Sequence, residues 1–278
     1  MIYLFLKGGL GNQLFQIFTL ISYSIRENHN YILPILPFIQ RKNTYWDTLF
    51  INLKNNTINN NIFKNIKYNK IYEEKEFNYN ELETLDKNYN LLLNGYFQSY
   101  KYFVNDYKYI YDFLNLNNLK NSVNPIYNNL ITNNNITISL HFRLGDYKFC
   151  QESLSILTYE YYYKALKYLI KTNEKYNVLY FCEEDDKVIV ESIIFRLKKE
   201  YININFIRCP FDIEDWKQML LMSLCNNHII ANSTFSWWGA YFNDREKIVC
   251  YPSIWFGPKL KHHDLKDLFP SDWIEIKF

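Results

Sequence analysis

Ile138-Ser-Leu-His-Phe-Arg-Leu-Gly-Asp-Tyr147 reads as a strand that ends in charge. Its apolar run stops at His141 and Arg143, and Gly145 and Asp146 follow at once. A strand that delivers a guanidinium into a glycine-containing turn suits a phosphate or diphosphate, because Arg offers a planar pair of donors and Lys does not. A plainer account is also open, in which an Arg143–Asp146 pair staples the turn; such pairs are common and carry little information alone.

A regular alternation begins at residue 136. Strand patterns occupy Ile136–Phe142, Val178–Cys182, Ile202–Ile207, His228–Ala231 and Ile248–Tyr251, five in all. Helical patterns near Thr158–Lys171, Asp185–Lys198, Asp212–Ser223 and Thr234–Phe242 fall between them. This spacing predicts a parallel sheet with helices on both faces, a Rossmann-like domain whose ligands bind beyond the carboxyl ends of the strands. The N-terminus repeats the unit. Ile2–Leu6 is apolar, Lys7-Gly-Gly-Leu-Gly11 is a turn, and Leu14, Ile17, Phe18, Ile21 and Ile25 mark one helix face, with Asn12 placed to cap it. Between residues 40 and 135 only Leu91–Phe97 stands out, as a strand feeding a turn.

Composition narrows the classes. A chain of 278 residues allows two domains or one large one, and 48% apolar residues, with 26 Tyr and 21 Phe, supply ample core. Asn runs such as Asn59–Asn61 and Asn133–Asn135 are concentrated before residue 136 and read as compositional bias in loops. A net charge of +2, with Lys scattered among Glu and Asp, gives no basic stripe, so nucleic acid is not expected as a partner. Five cysteines without CxxC spacing point to free thiols in a reducing compartment. Met1–Leu6 is too short for a signal core, and no apolar stretch nears the roughly 20 residues that span a bilayer. A soluble cytoplasmic protein is the expectation, of open oligomeric state.

Three further motifs carry chemistry. Gly8-Gly-Leu-Gly-Asn-Gln13 fails the dinucleotide fingerprint, since Leu14 stands where its third glycine would fall. The turn still lets a ligand approach backbone N–H groups at a helix start, or it is simply a tight turn needing positive φ. Cys182-Glu-Glu-Asp-Asp186 opens a helix: its carboxylates complement the helix dipole, read the donor edge of a guanine, or bind a divalent ion. Asn232-Ser-Thr-Phe-Ser-Trp-Trp-Gly239 follows a strand. Ser233 and Thr234 cap the helix or donate to phosphate, and Trp237 and Trp238 suit a core better than a sugar platform. The sequon Asn232–Thr234 has no meaning in an intracellular chain, and His29, His228, His262 and His263 show no metal spacing.

Taken together, these segments resemble the α1,2-fucosyltransferases of glycosyltransferase family 11. The resemblance rests on Gly8-Gly-Leu-Gly-Asn-Gln-Leu-Phe-Gln16, Gly95-Tyr-Phe-Gln-Ser99 with Tyr102-Phe103, His141–Tyr147, Asn232–Tyr241, and Pro252 with Trp255-Phe256. It runs nearly end to end and is thin over residues 40–90. It implies an α/β fold of GT-B type, two Rossmann-like domains facing across a cleft: residues 1–135 on the acceptor side, and residues 136–278 holding the donor GDP-fucose. It also implies inverting transfer of L-fucose to the 2-hydroxyl of an acceptor sugar, terminal β-galactose, without cofactor or metal. The absence of a DxD triplet fits, because a protein cation must then stabilise the leaving GDP.

The resemblance assigns that role to Arg143, with His141 assisting the phosphates or shaping the cleft. Asn232, Ser233, Thr234 and the N–H groups that follow, from Phe235 onward, would cradle the diphosphate. Phe181-Cys-Glu-Glu184 aligns with the family's Phe-Ser-Asp-Asp, which puts Glu184 at the guanine-reading position with Asp185 as its rival. The family often has two consecutive arginines where this chain has Arg143-Leu144, so Arg143 alone can be the essential one. Glu152 and Asp146 are the candidate bases for the acceptor hydroxyl, Asp146 being better suited to a structural role, paired with Arg143 or the turn. Gly9, Gly11, Asn12 and Gln13 would contact donor or acceptor. Two alternatives stay open: a nucleotide-sugar transferase of another donor or linkage, and an inactive nucleotide- or glycan-binding relative.

Overall fold

Two parallel sheets organise the chain, each in its own compact unit. The computed structural model describes every residue except Pro37, Gln40 and Arg41. The first unit comprises Met1–Leu119 and His263–Pro270, and the second Lys120–His262 and Ser271–Phe278.

In the first unit, β1 (Ile2–Leu4) leads to α1 (Leu10–Glu27), β2 (Tyr31–Ile35), the short strands β3 (Phe38–Ile39) and β4 (Lys42–Asn43), and β5 (Thr57–Asn59). Then come α2 (Asn60–Lys64), β6 (Lys70–Glu73), β7 (Leu91–Asn94) and α3 (Tyr107–Phe113). The sheet order is β5-β2-β1-β7-β6, with every pairing parallel. Strand order reverses between β1 and β7, so the turns after those two strands share one edge of the sheet. The first strand, its helix and the strand at Leu91 lie where the sequence pattern puts them. By contrast, β2 carries Pro34, and β5 and β6 are short and polar, which hides the period-2 signal.

One expectation about α1 is corrected. The helix begins at Leu10, so Asn12 lies inside its first turn; the cap position belongs to Gly9, which makes no side-chain cap bond. At the other end Asn28, at φ 53, closes the helix by returning its N–H to the carbonyls of Ser24 and Ile25. The expected apolar face holds through Ile21 and fails at Ile25, which is 43% exposed.

The helix α4 (Leu116–Leu130) contains the boundary between the units. Beyond it come β8 (Ile136–His141), α5 (Tyr159–Leu169), β9 (Tyr176–Phe181), α6 (Lys187–Glu200) and β10 (Ile204–Arg208). The unit continues with α7 (Asp215–Ser223), β11 (Asn227–Ile229), α8 (Thr234–Tyr241), β12 (Val249–Pro252) and β13 (Ile274–Ile276). The order β10-β9-β8-β11-β12-β13 is all parallel and is the doubly wound order of dinucleotide-binding sheets. Six strands stand where five were expected. The sixth, Ile274-Glu-Ile276, is too short to show a period and joins the sheet edge only through tertiary pairing.

Alternation along β8 explains its burial on both faces. Ile138, Leu140 and Phe142 join one apolar cluster with Tyr161, Tyr162 and Leu166 of α5 and Val190, Ile194 and Leu197 of α6. Thr137, Ser139 and His141 are buried on the other face. There Ser139 Oγ meets His228 Nδ1 at 2.7 Å, and Asn243 Nδ2 meets the other ring nitrogen at 2.9 Å. His228 is thus a satisfied core residue. Trp237 and Trp238 on α8 are fully buried, packed with Tyr241 and Trp273, and belong to the core as their apolar context suggested.

Candidate active site

Strand order in the second sheet reverses between β8 and β11, the place where open α/β sheets hold ligands. The chain leaves β8 through Arg143 and leaves β11 through Asn232–Thr234, so the two strongest sequence signals meet at this switch point. Arg143 is largely buried, with its side chain 20% exposed. One terminal nitrogen bonds the Glu183 carboxylate beyond β9, the other bonds Asp146, and the Tyr147 ring lies 5.0 Å from the guanidinium carbon. Burial opposes the charge, but Tyr147, Asp146 and Glu183 together outweigh it and raise the pKa above the ordinary Arg value. The stapled turn and the cationic fork are therefore one structure.

The turn itself is clamped. Gly145, at φ 35, donates its N–H to Asp186 Oδ2 at 2.8 Å, and a Cβ there would come within 2.7 Å of the Glu183 carboxylate. Asp186 is fully buried and pairs with Lys148 Nζ at 2.6 Å. Glu184 and Asp185, the two guanine-reading candidates, are exposed on the short 3-10 turn before α6. The carboxylate that reaches Arg143 is thus Glu183, one residue earlier than either. The acidic run is legible in the sequence, but which of its members meets Arg143 and which is buried, Glu183 and Asp186 respectively, depends on the twist of the turn.

His141 is buried, its ring 5.5 Å from that of Phe235. Burial, and then the charge of Arg143, push its pKa down to about 3, so the imidazole is neutral at pH 7. Its Nδ1 has no hydrogen-bond partner among the described residues. Asn232 is 1% exposed and works as a brace: its Nδ2 donates to the carbonyls of Ser155 at 2.8 Å and Trp255 at 3.0 Å, and its backbone carbonyl accepts from the Tyr147 hydroxyl at 3.0 Å. Ser233 caps α8, accepting from the Phe235 N–H at 3.3 Å, while Thr234 and Phe235 are half-buried. Glu152 is exposed on the loop beyond Cys150, where its backbone carbonyl accepts from the Lys259 N–H at 2.7 Å.

In the first unit the positive φ of the glycine turn belongs to Gly8, at 71°, while Gly9 is extended and Gly11 is buried in α1. Gln16 locks this turn. Its Oε1 accepts from the Lys7 N–H at 2.8 Å, and its Nε2 donates to the carbonyls of Lys7 at 2.9 Å and Asn12 at 3.0 Å. Gln13 donates to the Gly8 carbonyl at 3.0 Å, and Asn12 Oδ1 accepts from Gln98 Nε2 at 3.0 Å. Gln98 lies in the segment after β7, so the turns after β1 and β7 are joined. Among the described residues no three His, Cys, Asp or Glu side chains are grouped to hold a metal ion, and no helix is long and apolar enough to cross a membrane.

The model of Glycosyl transferase family 11 matches residues 1–277. The O-antigen biosynthesis glycosyltransferase WbnK of Escherichia coli is 36% identical over 155 residues, 54% of this chain and 48% of that protein. An alpha-1,2-colitosyltransferase of Escherichia coli is 32% identical over 146 residues, 51% of this chain and 48% of that one. The match thus spans about half the length of these curated relatives. Among solved structures, the glycosyl transferase family 9 protein from Veillonella parvula aligns with all of this chain and 85% of its own at a TM-score of 0.50 and 10% identity, a likeness of fold alone.

Proposed function

The chain belongs to glycosyl transferase family 11, and from that premise we propose that it moves L-fucose from GDP-β-L-fucose to the 2-hydroxyl of an acceptor sugar, terminal β-galactose, with inversion and without a metal ion. The observation that carries this reading is Arg143, a partly buried guanidinium at the switch point of the doubly wound sheet. As the bond from C1 to the β-phosphate breaks, negative charge grows on the phosphate oxygen, and a fixed cation there lowers the barrier. Glu183 and Asp146 each take one N–H of Arg143, so a guanidinium with five N–H donors can meet the diphosphate while both still hold it. Neutral His141 offers a ring N–H to a phosphate oxygen, and the start of α8 offers Thr234 and backbone N–H groups. Glu184 or Asp185, both free to reach outward, accepts from the guanine edge.

Titration calorimetry with GDP, UDP and ADP tests the donor class, and equal or absent binding of all three would sink the guanine assignment. Activity is expected to persist in full after exhaustive EDTA treatment; strict dependence on Mn²⁺ contradicts the mechanism. A screen of galactosides with GDP-fucose identifies the acceptor. A second reading is favoured by the colitosyltransferase relative: the same α1,2 linkage made with colitose, the 3-deoxy counterpart of fucose. A site built to hydrogen-bond the 3-hydroxyl rejects the sugar lacking it, so the ratio of kcat/KM for the two donors decides between them.

A further inference from the structure

The helix α6 leads from the acidic turn of the second unit to β10, the strand that ends the order of its sheet. Two of its sides are occupied. Val190, Ile194 and Leu197 enter the apolar cluster, and Arg196 reaches α5, its guanidinium carbon 3.7 Å from the centre of the Tyr159 ring. A third side is apolar and bare. Val188 is 81% exposed and Phe195 is 59% exposed. Seven residues nearly complete two turns, so these side chains share one line of the helix, and that line turns away from both the cluster and α5. Ile202, 83% exposed, keeps the same spacing two residues past the helix end. Single exposed apolar side chains are ordinary, but large ones in a line mark a contact surface.

Charge flanks this line in a pattern that matches its own reverse. Glu191 stands four residues before Phe195 and Lys198 three after it, which puts both on one flank; Ser192 and Lys199 hold the other. The Glu191 carboxylate is half exposed, with one oxygen on Arg208 at 2.9 Å, and Lys199 Nζ lies 4.4 Å from the centre of the Phe195 ring. Set a second α6 antiparallel to the first, about a two-fold axis beside Phe195. Each flank then keeps its side while the order along it reverses. Phe195 meets Phe195, Val188 meets the end that carries Ile202, and Glu191 meets Lys198 on both sides of the axis. A two-fold contact requires this self-complementarity, in which residue i meets j and j meets i. A nucleic acid or an anionic bilayer would instead bring negative charge up to Glu191.

We propose that this face of α6 is the contact between two copies of the chain, with Val188, Phe195 and Ile202 at its centre and Glu191 paired to Lys198 of the partner subunit. Sedimentation of the full chain at micromolar concentration tests it. Wild type is expected to populate a species of twice the chain mass of 33.9 kDa, in equilibrium with monomer because one helix pair is a small interface. Monomer alone at every concentration overturns the proposal, and a monomer that sediments with phosphatidylserine vesicles gives the face to a lipid surface. Phe195→Glu sets like charges together at the axis and is expected to weaken dimerisation by about 30-fold or more. A dimer as tight as wild type would remove α6 from the interface. Glu191→Lys and Lys198→Glu are each expected to dimerise more weakly alone, since like charges then meet. Mixed, they are expected to dimerise again, since every such contact is once more between opposite charges. A mixture no tighter than its components refutes the pairing and the antiparallel contact with it. All three positions are exposed, so melting midpoints near wild type are expected; should Phe195→Glu fail to fold, the charge pair decides alone.

Discussion

Arg143 is held from three sides, by Glu183, Asp146 and the Tyr147 ring, and that restraint decides how much it can do. A guanidinium aimed in advance loses little freedom when a diphosphate arrives, so its attraction goes into the transition state and is not spent on ordering a side chain. Arg143→Ala is expected to lower kcat by about 10²-fold or more, roughly 3 kcal/mol, from the cost of deleting one charge-stabilising donor. Turnover near wild type would refute the role. The side chain that sequence could name is Arg143, because its type and its place after a strand were both legible. Its partner Glu183 was not, since 40 residues separate the two and only the pairing of β8 with β9 brings them together.

At the scale of elements, the turn from β1 into α1 depends on Gln16 as much as on glycine. Gln16 satisfies both backbone groups of Lys7 and the carbonyl of Asn12 from a fully buried position. Leucine in its place would fill similar space and leave those groups unpaired. Gln16→Leu is expected to cost about 1–3 kcal/mol of stability, read as a lower denaturation midpoint at unchanged m-value. A midpoint equal to wild type would show that water replaces the amide. The motif Gly8–Gln16 was visible in the sequence as a ligand-approach turn; that its last residue is the brace emerged only from the way the helix start folds back on the strand.

For the molecule as a whole, two buried imidazoles set the acid limit of stability. Burial is the main cause in both: it pushes His141 down to about 3, aided by Arg143, and holds His228 well below its ordinary value, aided by Lys247 and Arg245. An unfolded chain protonates histidine near pH 6.5, about where its ordinary pKa lies. Below that pH the unfolded state binds more protons than the folded one, so stability is complete above about 6.5 and drains away as pH falls toward 3. The Tm is expected to decline through this window, with proton uptake on unfolding measurable by calorimetry in buffers of different ionisation enthalpy. A Tm constant between about pH 7 and pH 5 would contradict it. The same scale shows why some of the fold was hidden. Segment His263–Pro270 belongs to the first unit, where Asp267 accepts from the Tyr79 N–H at 3.1 Å and its carbonyl accepts from Ser99 Oγ at 2.7 Å, before β13 completes the second sheet. Bonds across 168 residues leave no local pattern. By itself the sequence determined the alternation of strands and helices, the two glycine turns and the cation after β8, because hydrophobic period and turn chemistry are local properties of the chain. Which acid meets Arg143 and where the last strand joins were decided by tertiary structure alone, because such pairings exist only once distant segments have packed.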